Sequence, residues 1–247
     1  SGVETLATAE KQEAGLSGRL ALAFRYEKPQ YTVAVVARRV KPVMAARLAT
    51  FLNVQVGVLH TYSEINYTVQ QSLVEQVQFV LPTSSPSDLN VVGLGVTKIK
   101  QFVSEEQDEK RIWTVTLNKP TAGNIIIGID YEQVLEETES KYVPALVVAG
   151  NVVYQSGVLS IESSPELAIG VESAAKPVDV GELVVLGYSV GKHRVGAYGY
   201  TGAEPMVALT IDRPKLFPVP SSLIQRGEIV SFVSSHGVYQ SVARFEL

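Results

Sequence analysis

Leu59-His60-Thr61-Tyr62-Ser63-Glu64-Ile65-Asn66-Tyr67-Thr68-Val69 is the stretch on which the fold class turns. Leu59, Thr61, Ser63, Ile65, Tyr67 and Val69 alternate with His60, Tyr62, Glu64, Asn66 and Thr68. Successive side chains of a strand point to opposite sides, so this alternation reads as a half-buried β-strand. Tyr31-Thr32-Val33-Ala34-Val35-Val36-Ala37-Arg38-Arg39 reads the same way.

Outward from these stretches, strands are expected at 20–26, 45–54, 77–81, 91–103, 111–117, 124–130, 145–149, 152–161, 167–172, 183–190, 194–200, 206–211, 229–233 and 238–245. Val56-Gly57, Ala149-Gly150-Asn151, Ser156-Gly157 and His236-Gly237 offer turns, and the prolines of 82–86 and 214–220 end any ladder. Ser104-Glu105-Glu106-Gln107-Asp108-Glu109-Lys110 lies between two alternating segments and reads as a solvated hairpin tip. The Asp-x-Asp-x-Asp-Gly order of a calcium loop is missing from it, so no metal is expected there. Two stretches look helical: 3–14, rich in Ala, Glu, Lys and Gln, and 130–139, with an N-cap at Asp130 and Gln133 at the third helical position. Pro144 and the charged run 132–141 mark a module boundary near 140–144. The expected architecture is all-β, with tandem antiparallel β-sandwich modules of the immunoglobulin-like kind and one or two short helices. Its parts are a polar or helical tail at 1–17, a sandwich at 18–142 and a second sandwich at 143–247 with truncation expected at its end.

Composition narrows the function classes. The chain has 247 residues, and 21 basic against 25 acidic side chains leave a net charge of −4, which argues against a nucleic-acid partner. The absence of cysteine removes disulfides, thiolate nucleophiles and sulfur-ligated metals. Apolar runs such as 125–129 and 145–150 are far shorter than the ~20 residues of a membrane helix. The opening Ser-Gly-Val-Glu-Thr and an end inside an expected strand read as a segment cut from something longer.

Two stretches echo each other. Gly2-Val3-Glu4-Thr5 returns as Gly170-Val171-Glu172-Ser173, and the hairpin expected at 20–37 returns at 183–199, with Tyr26 matching Tyr188 and Val33 matching Val195. Val143-Pro144-Ala145-Leu146, Gln155-Ser156-Gly157-Val158-Leu159, Glu172, Pro177-Val178-Asp179 and Glu182-Leu183, leading to Tyr188, form a succession that resembles large uncharacterised bacterial cell-envelope proteins built from repeated β-sandwich regions. The resemblance covers 18–247, and the 214–220 stretch departs from its hairpin pattern. It implies an extracytoplasmic location (periplasmic, secreted or cell envelope), a scaffold or interaction role, and no catalytic residues to carry over.

Side chains that could carry chemistry are sparse. His60, His193 and His236 stand at no metal-ligand spacing and read as two strand-surface histidines and one turn histidine. No Gly-x-Ser-x-Gly elbow and no phosphate-cradling glycine loop is present. Glu64, Asp130, Glu162, Glu172 and Asp212 are acids within strands, read as exposed polar-face residues or partners of Arg38, Arg39 or Arg213. Tyr198 and Tyr200 must share a face of one strand, and with Tyr188 beside them they would form an aromatic platform on which sugars stack. The expected function is a non-catalytic structural or interaction region of a larger bacterial extracytoplasmic protein, without cofactor, whose partners are another protein or neighbouring modules of the same chain. A carbohydrate-binding module using Tyr188, Tyr198 and Tyr200 is the alternative, and an enzyme with a site of separated carboxylates is the second.

Overall fold

The computed structural model describes residues 3–5, 24–26, 34, 36, 40–136, 141–179, 185–191, 193–202, 206–213 and 226–246. All regular structure among them is β, as the alternation requires. The chain forms two compact units, Ser1–Lys41 and Pro42–Leu247. In the first, β1 (Val3–Thr5) and β2 (Phe24–Tyr26) pair antiparallel.

The second unit is built on a 9-stranded sheet whose main path runs β12, β13, β10, β3, β4, β7, β5. Its members are β3 (Val43–Gln55), β4 (Val58–Pro82), β5 (Asn90–Leu94), β6 (Ile99–Gln107), β7 (Lys110–Val134), β9 (Val148–Gly150), β10 (Tyr154–Ser163), β12 (Lys176–Pro177) and β13 (Arg194–Thr201), with β6 on β7 and β9 on β4. A 3-stranded sheet orders β11 (Ala168–Ser173), β14 (Val207–Asp212) and β8 (Lys141–Tyr142). β15 (Arg226–Val233) and β16 (Tyr239–Glu246) form a separate hairpin whose side chains are all exposed, Ile229, Phe232 and Phe245 among them.

β4 and β7 each run 25 residues, well beyond the usual strand length, because they bend. Their register shifts between Val69 and Gln76, where Gln71 (φ 70°) and Gly123 (φ 83°) take left-handed backbone. The bend folds the upper halves of both strands over the lower halves. Ile65, Tyr67, Ile125 and Ile127 from below thus share one core with Val77, Phe79, Trp113 and Val115 from above. Phe79 stacks on Trp113 at 5.9 Å, and Tyr67 Oη donates to the Gln78 carbonyl at 2.6 Å.

The same face of β3 and β4 enters a second core farther along. Leu52, Val54 and Leu59 pack with Leu159 and Ile161 of β10 and with Leu209 and Ile211 of the small sheet. Between the two cores lies a polar row, in which the hydroxyls of Thr50 and Ser63 meet at 3.1 Å beside buried Thr61. The order Leu59, Thr61, Ser63, Ile65, Tyr67 along one strand is therefore also the order core, polar divider, core.

The hairpin tip expected at 104–110 is present: β6 and β7 meet through Asp108 (φ 48°) and Glu109 (φ 61°), the left-handed pair that a two-residue hairpin demands. Gly57 and Gly237 likewise turn with positive φ. Two expectations need correction, and the tandem immunoglobulin-like arrangement is not confirmed. The described residues contain no helix: Val3–Thr5 is strand, with 6–14 outside the described residues, and Asp130 to Val134 continue β7 because their pairing with Val58 to Tyr62 outweighs a local N-cap. Leu135 and Glu136 are not helical either, and residues 137–139, the end of the second expected helix, lie outside the described residues. Ser156-Gly157 is mid-strand in β10, where Gly157 makes room for the Tyr200 ring. The pairing shows one large sheet with a small one packed on it, and it does not display tandem immunoglobulin-like modules.

Candidate functional site

The other face of β3, β4, β7 and β10 carries the polar partners of the alternation. His60, Tyr62 and Glu64 of β4 lie between Asn53, Phe51 and Ala49 of β3 and Glu132, Asp130 and Gly128 of β7. Glu162 of β10 lies opposite Asn53. Residues 185–191 cross this face as a strap. They are not the strand expected at 183–190, because buried carboxylates take their amide hydrogens in place of a neighbouring strand.

Two clips hold the strap. Leu186 N and Gly187 N donate to Glu64 Oε2 at 2.8 and 3.2 Å. Gly191 N and Tyr188 Oη both donate to Glu162 Oε2 at 3.0 Å. Tyr188 lays its ring over the neighbouring Phe51 and Tyr62, stacked on the first at 4.3 Å and on the second at 5.3 Å. The glycines set how closely the strap lies: a Cβ at Gly187 would collide with Tyr62 Oη, and one at Gly191 would stand 2.5 Å from Glu162 Oε2. Burial, then the charges of Glu64 and Asp130, hold the Tyr62 phenol protonated well above its ordinary range. Burial and Glu162 do the same for Tyr188.

Where the strap ends, a polar cleft of about 480 Å³ opens, lined by Asn53, Gln55, Glu162, Ser164, Glu166 and His193 among others. That volume lies in the range of small-ligand sites. Glu162 is only 2% exposed. Its Oε2 is saturated by the strap, while Oε1 and the nearby Ser164 Oγ, both buried, have no hydrogen-bond partner among the described residues. A buried acceptor of that kind costs about 1–3 kcal/mol unless a ligand or water meets it. Glu162 and Glu166 outnumber the one imidazole, His193, so the cleft favours a hydrogen-bond donor that carries positive charge.

The residues singled out from the sequence are distributed differently from expectation. Tyr198 and Tyr200 share a face of β13, as period 2 requires, but Tyr198 packs into the second core and Tyr200 lies over Gly157. Tyr188 is on the opposite face, so the structure does not bring the three rings into one row. Glu64 and Glu162, read as exposed, are buried anchors. Asp130 Oδ1 meets His60 Nε2 at 2.6 Å, and Glu172 pairs with Lys141 at 2.8 Å. His193 borders the cleft and His236 sits at the exposed β15–β16 turn. No group of three His, Asp or Glu side chains able to hold a metal occurs among the described residues. The sequence signal missed for this site was Gly187-Tyr188-Ser189-Val190-Gly191, an aromatic between two glycines in a segment otherwise apolar enough for a strand.

No family model matches the chain, and no curated protein matches it. Among solved structures, native leukotriene A4 hydrolase from Saccharomyces cerevisiae is similar over 69% of this chain at 10% identity, with a TM-score of 0.36. The chain spans about 29% of the length of that hydrolase. Nothing in these comparisons supports the expectation of a non-catalytic structural or interaction region, and it is not kept. A likeness of this size gives this chain neither that enzyme's fold nor its activity. Among the described residues no helix is long and apolar enough to cross a membrane.

Proposed function

We propose that the cleft beside Glu162 binds a small ligand through a primary ammonium group. The observation that carries this reading is Oε1 of Glu162, without a partner among the described residues on a side chain only 2% exposed at the edge of the cleft. An ammonium has three donors and no acceptor. It would meet Glu162 Oε1 and Ser164 Oγ together and bring the charge that this acidic lining lacks. The strap pre-organises the carboxylate, because Tyr188 and Gly191 fix Oε2 and so aim the other oxygen.

Titration of the whole chain with n-butylammonium, followed by amide chemical shifts, tests the reading. Shifts at 53–55, 162–166 and 191–193 are expected, with n-butanol and butyrate inactive. Glu162→Gln keeps an acceptor for the strap but turns the free oxygen into an NH₂ donor, so it abolishes the butylammonium response while the Tyr188 environment persists. Equal binding of butanol, or an unchanged response in Glu162→Gln, overturns the reading.

A further inference from the structure

A second cleft, of about 380 Å³, lies where β7 bends past the β5–β6 connection, away from Glu162 in residue content. Its lining is mainly apolar: buried Leu117 and Ile125 form the floor, and Val96, 89% exposed, stands at the rim. The floor asks for no hydrogen bond, since Thr97 Oγ1 accepts from Ile126 N at 3.0 Å and Thr121 Oγ1 donates to the Lys119 carbonyl at 2.9 Å. Lys98 and Lys119 also line it, exposed, on backbone joined by the Asn118 N to Lys98 O hydrogen bond of 2.9 Å. Neither lysine takes part in an ion pair among the described residues.

From this combination we infer that the cleft binds a free medium-chain carboxylate, with its alkyl chain against Leu117 and Ile125 and its carboxylate between Lys98 and Lys119. An apolar floor with satisfied polar groups selects a hydrocarbon. Two unpaired ammonium groups at the mouth select an anion and reject a cation. This site is independent of the ammonium reading, and its ligand has the opposite charge.

The test uses octanoate, octylammonium and octanol in turn on the full chain, read by amide shifts and calorimetry. Octanoate is expected to move the amides of 96–98, 117–121 and 125 and to bind most tightly of the three. Lys98→Met and Lys119→Met should each weaken octanoate about two- to fivefold, as exposed charge partners do. Val96→Glu, at an exposed rim position that leaves folding intact, should weaken it further by repulsion. Glu162→Gln should leave octanoate binding unchanged. Tighter or equal binding of octylammonium or octanol, octanoate shifts elsewhere, or full affinity in the Lys98→Met/Lys119→Met double variant would each overturn the inference.

Discussion

The two faces of β3 and β4 solve burial in opposite ways. On one, Leu48, Leu52, Leu59, Ile65 and Tyr67 are closed over by other parts of the same sheet and by the small sheet, and stability there comes from apolar packing. On the other, Phe51, Tyr62, Glu64 and Glu162 are covered by a strap with no strand partner, held by carboxylates and one stacked tyrosine. The first cover is made of ladders that are cooperative with the whole fold. The second is attached at a few points, so local changes there should act locally and reach the Glu162 cleft.

The largest expected effect tests the packed face. Phe79→Ala, which removes a fully buried ring stacked on Trp113, should destabilise the whole unit by about 3–5 kcal/mol in urea unfolding. On the strapped face, Glu64→Ala leaves two amide hydrogens without their acceptor and should cost about 2 kcal/mol, with much of the loss recovered by Glu64→Gln. Hydrogen exchange should then speed at Leu186 and Gly187 while the Tyr67 region stays protected. If protection falls equally on both faces, the contrast between them is wrong. Gly187→Ala, forced against Tyr62, should cost about 1 kcal/mol and loosen the strap without shifting the exchange of β4 and β7.

The smallest effect sharpens the contrast by pH. Tyr67 and Tyr131 on the packed face have phenols raised chiefly by burial, whereas Tyr62 and Tyr188 are raised by burial and by carboxylates. A folded phenol raised above the unfolded value of about 10 stays protonated after the unfolded chain has ionised. Its contribution is therefore complete below that value and is lost as pH rises above it. In an ultraviolet titration, Glu64→Gln should bring Tyr62 ionisation to lower pH and leave Tyr67 unmoved. Movement of Tyr67 instead would show that the faces are coupled.

Much of the fold could be read from local pattern. Leu59 to Val69 announced its two faces, and Asp108-Glu109, Gly57 and Gly237 announced turns, because side-chain period and left-handed backbone are local properties. The fusion of 111–117 and 124–130 into one bent strand was not legible, since Lys119-Pro120-Thr121-Ala122-Gly123 looks like a break when its partner β4 is unknown. The parallel pairing of β10 with β3 depends on contacts remote in sequence and leaves no periodic trace. The site was hidden for a related reason. A glutamate in an alternating strand reads as solvated until the segment that covers it is known, and Glu64 and Glu162 are covered by residues far along the chain.

The β15–β16 hairpin bears on how the protein behaves at high concentration. Gly227, Ile229, Ser231 and Val233 share a face with Tyr239, Ser241, Ala243 and Phe245, so one side of an exposed ribbon is almost free of charge while Arg226, Glu228, Arg244 and Glu246 lie on the other. Ribbons of this composition adhere to one another, edge to edge or face to face. The ribbon lines neither cleft, so Ile229→Lys is expected to raise the solubility limit, measured by light scattering, while leaving both ligand titrations unchanged.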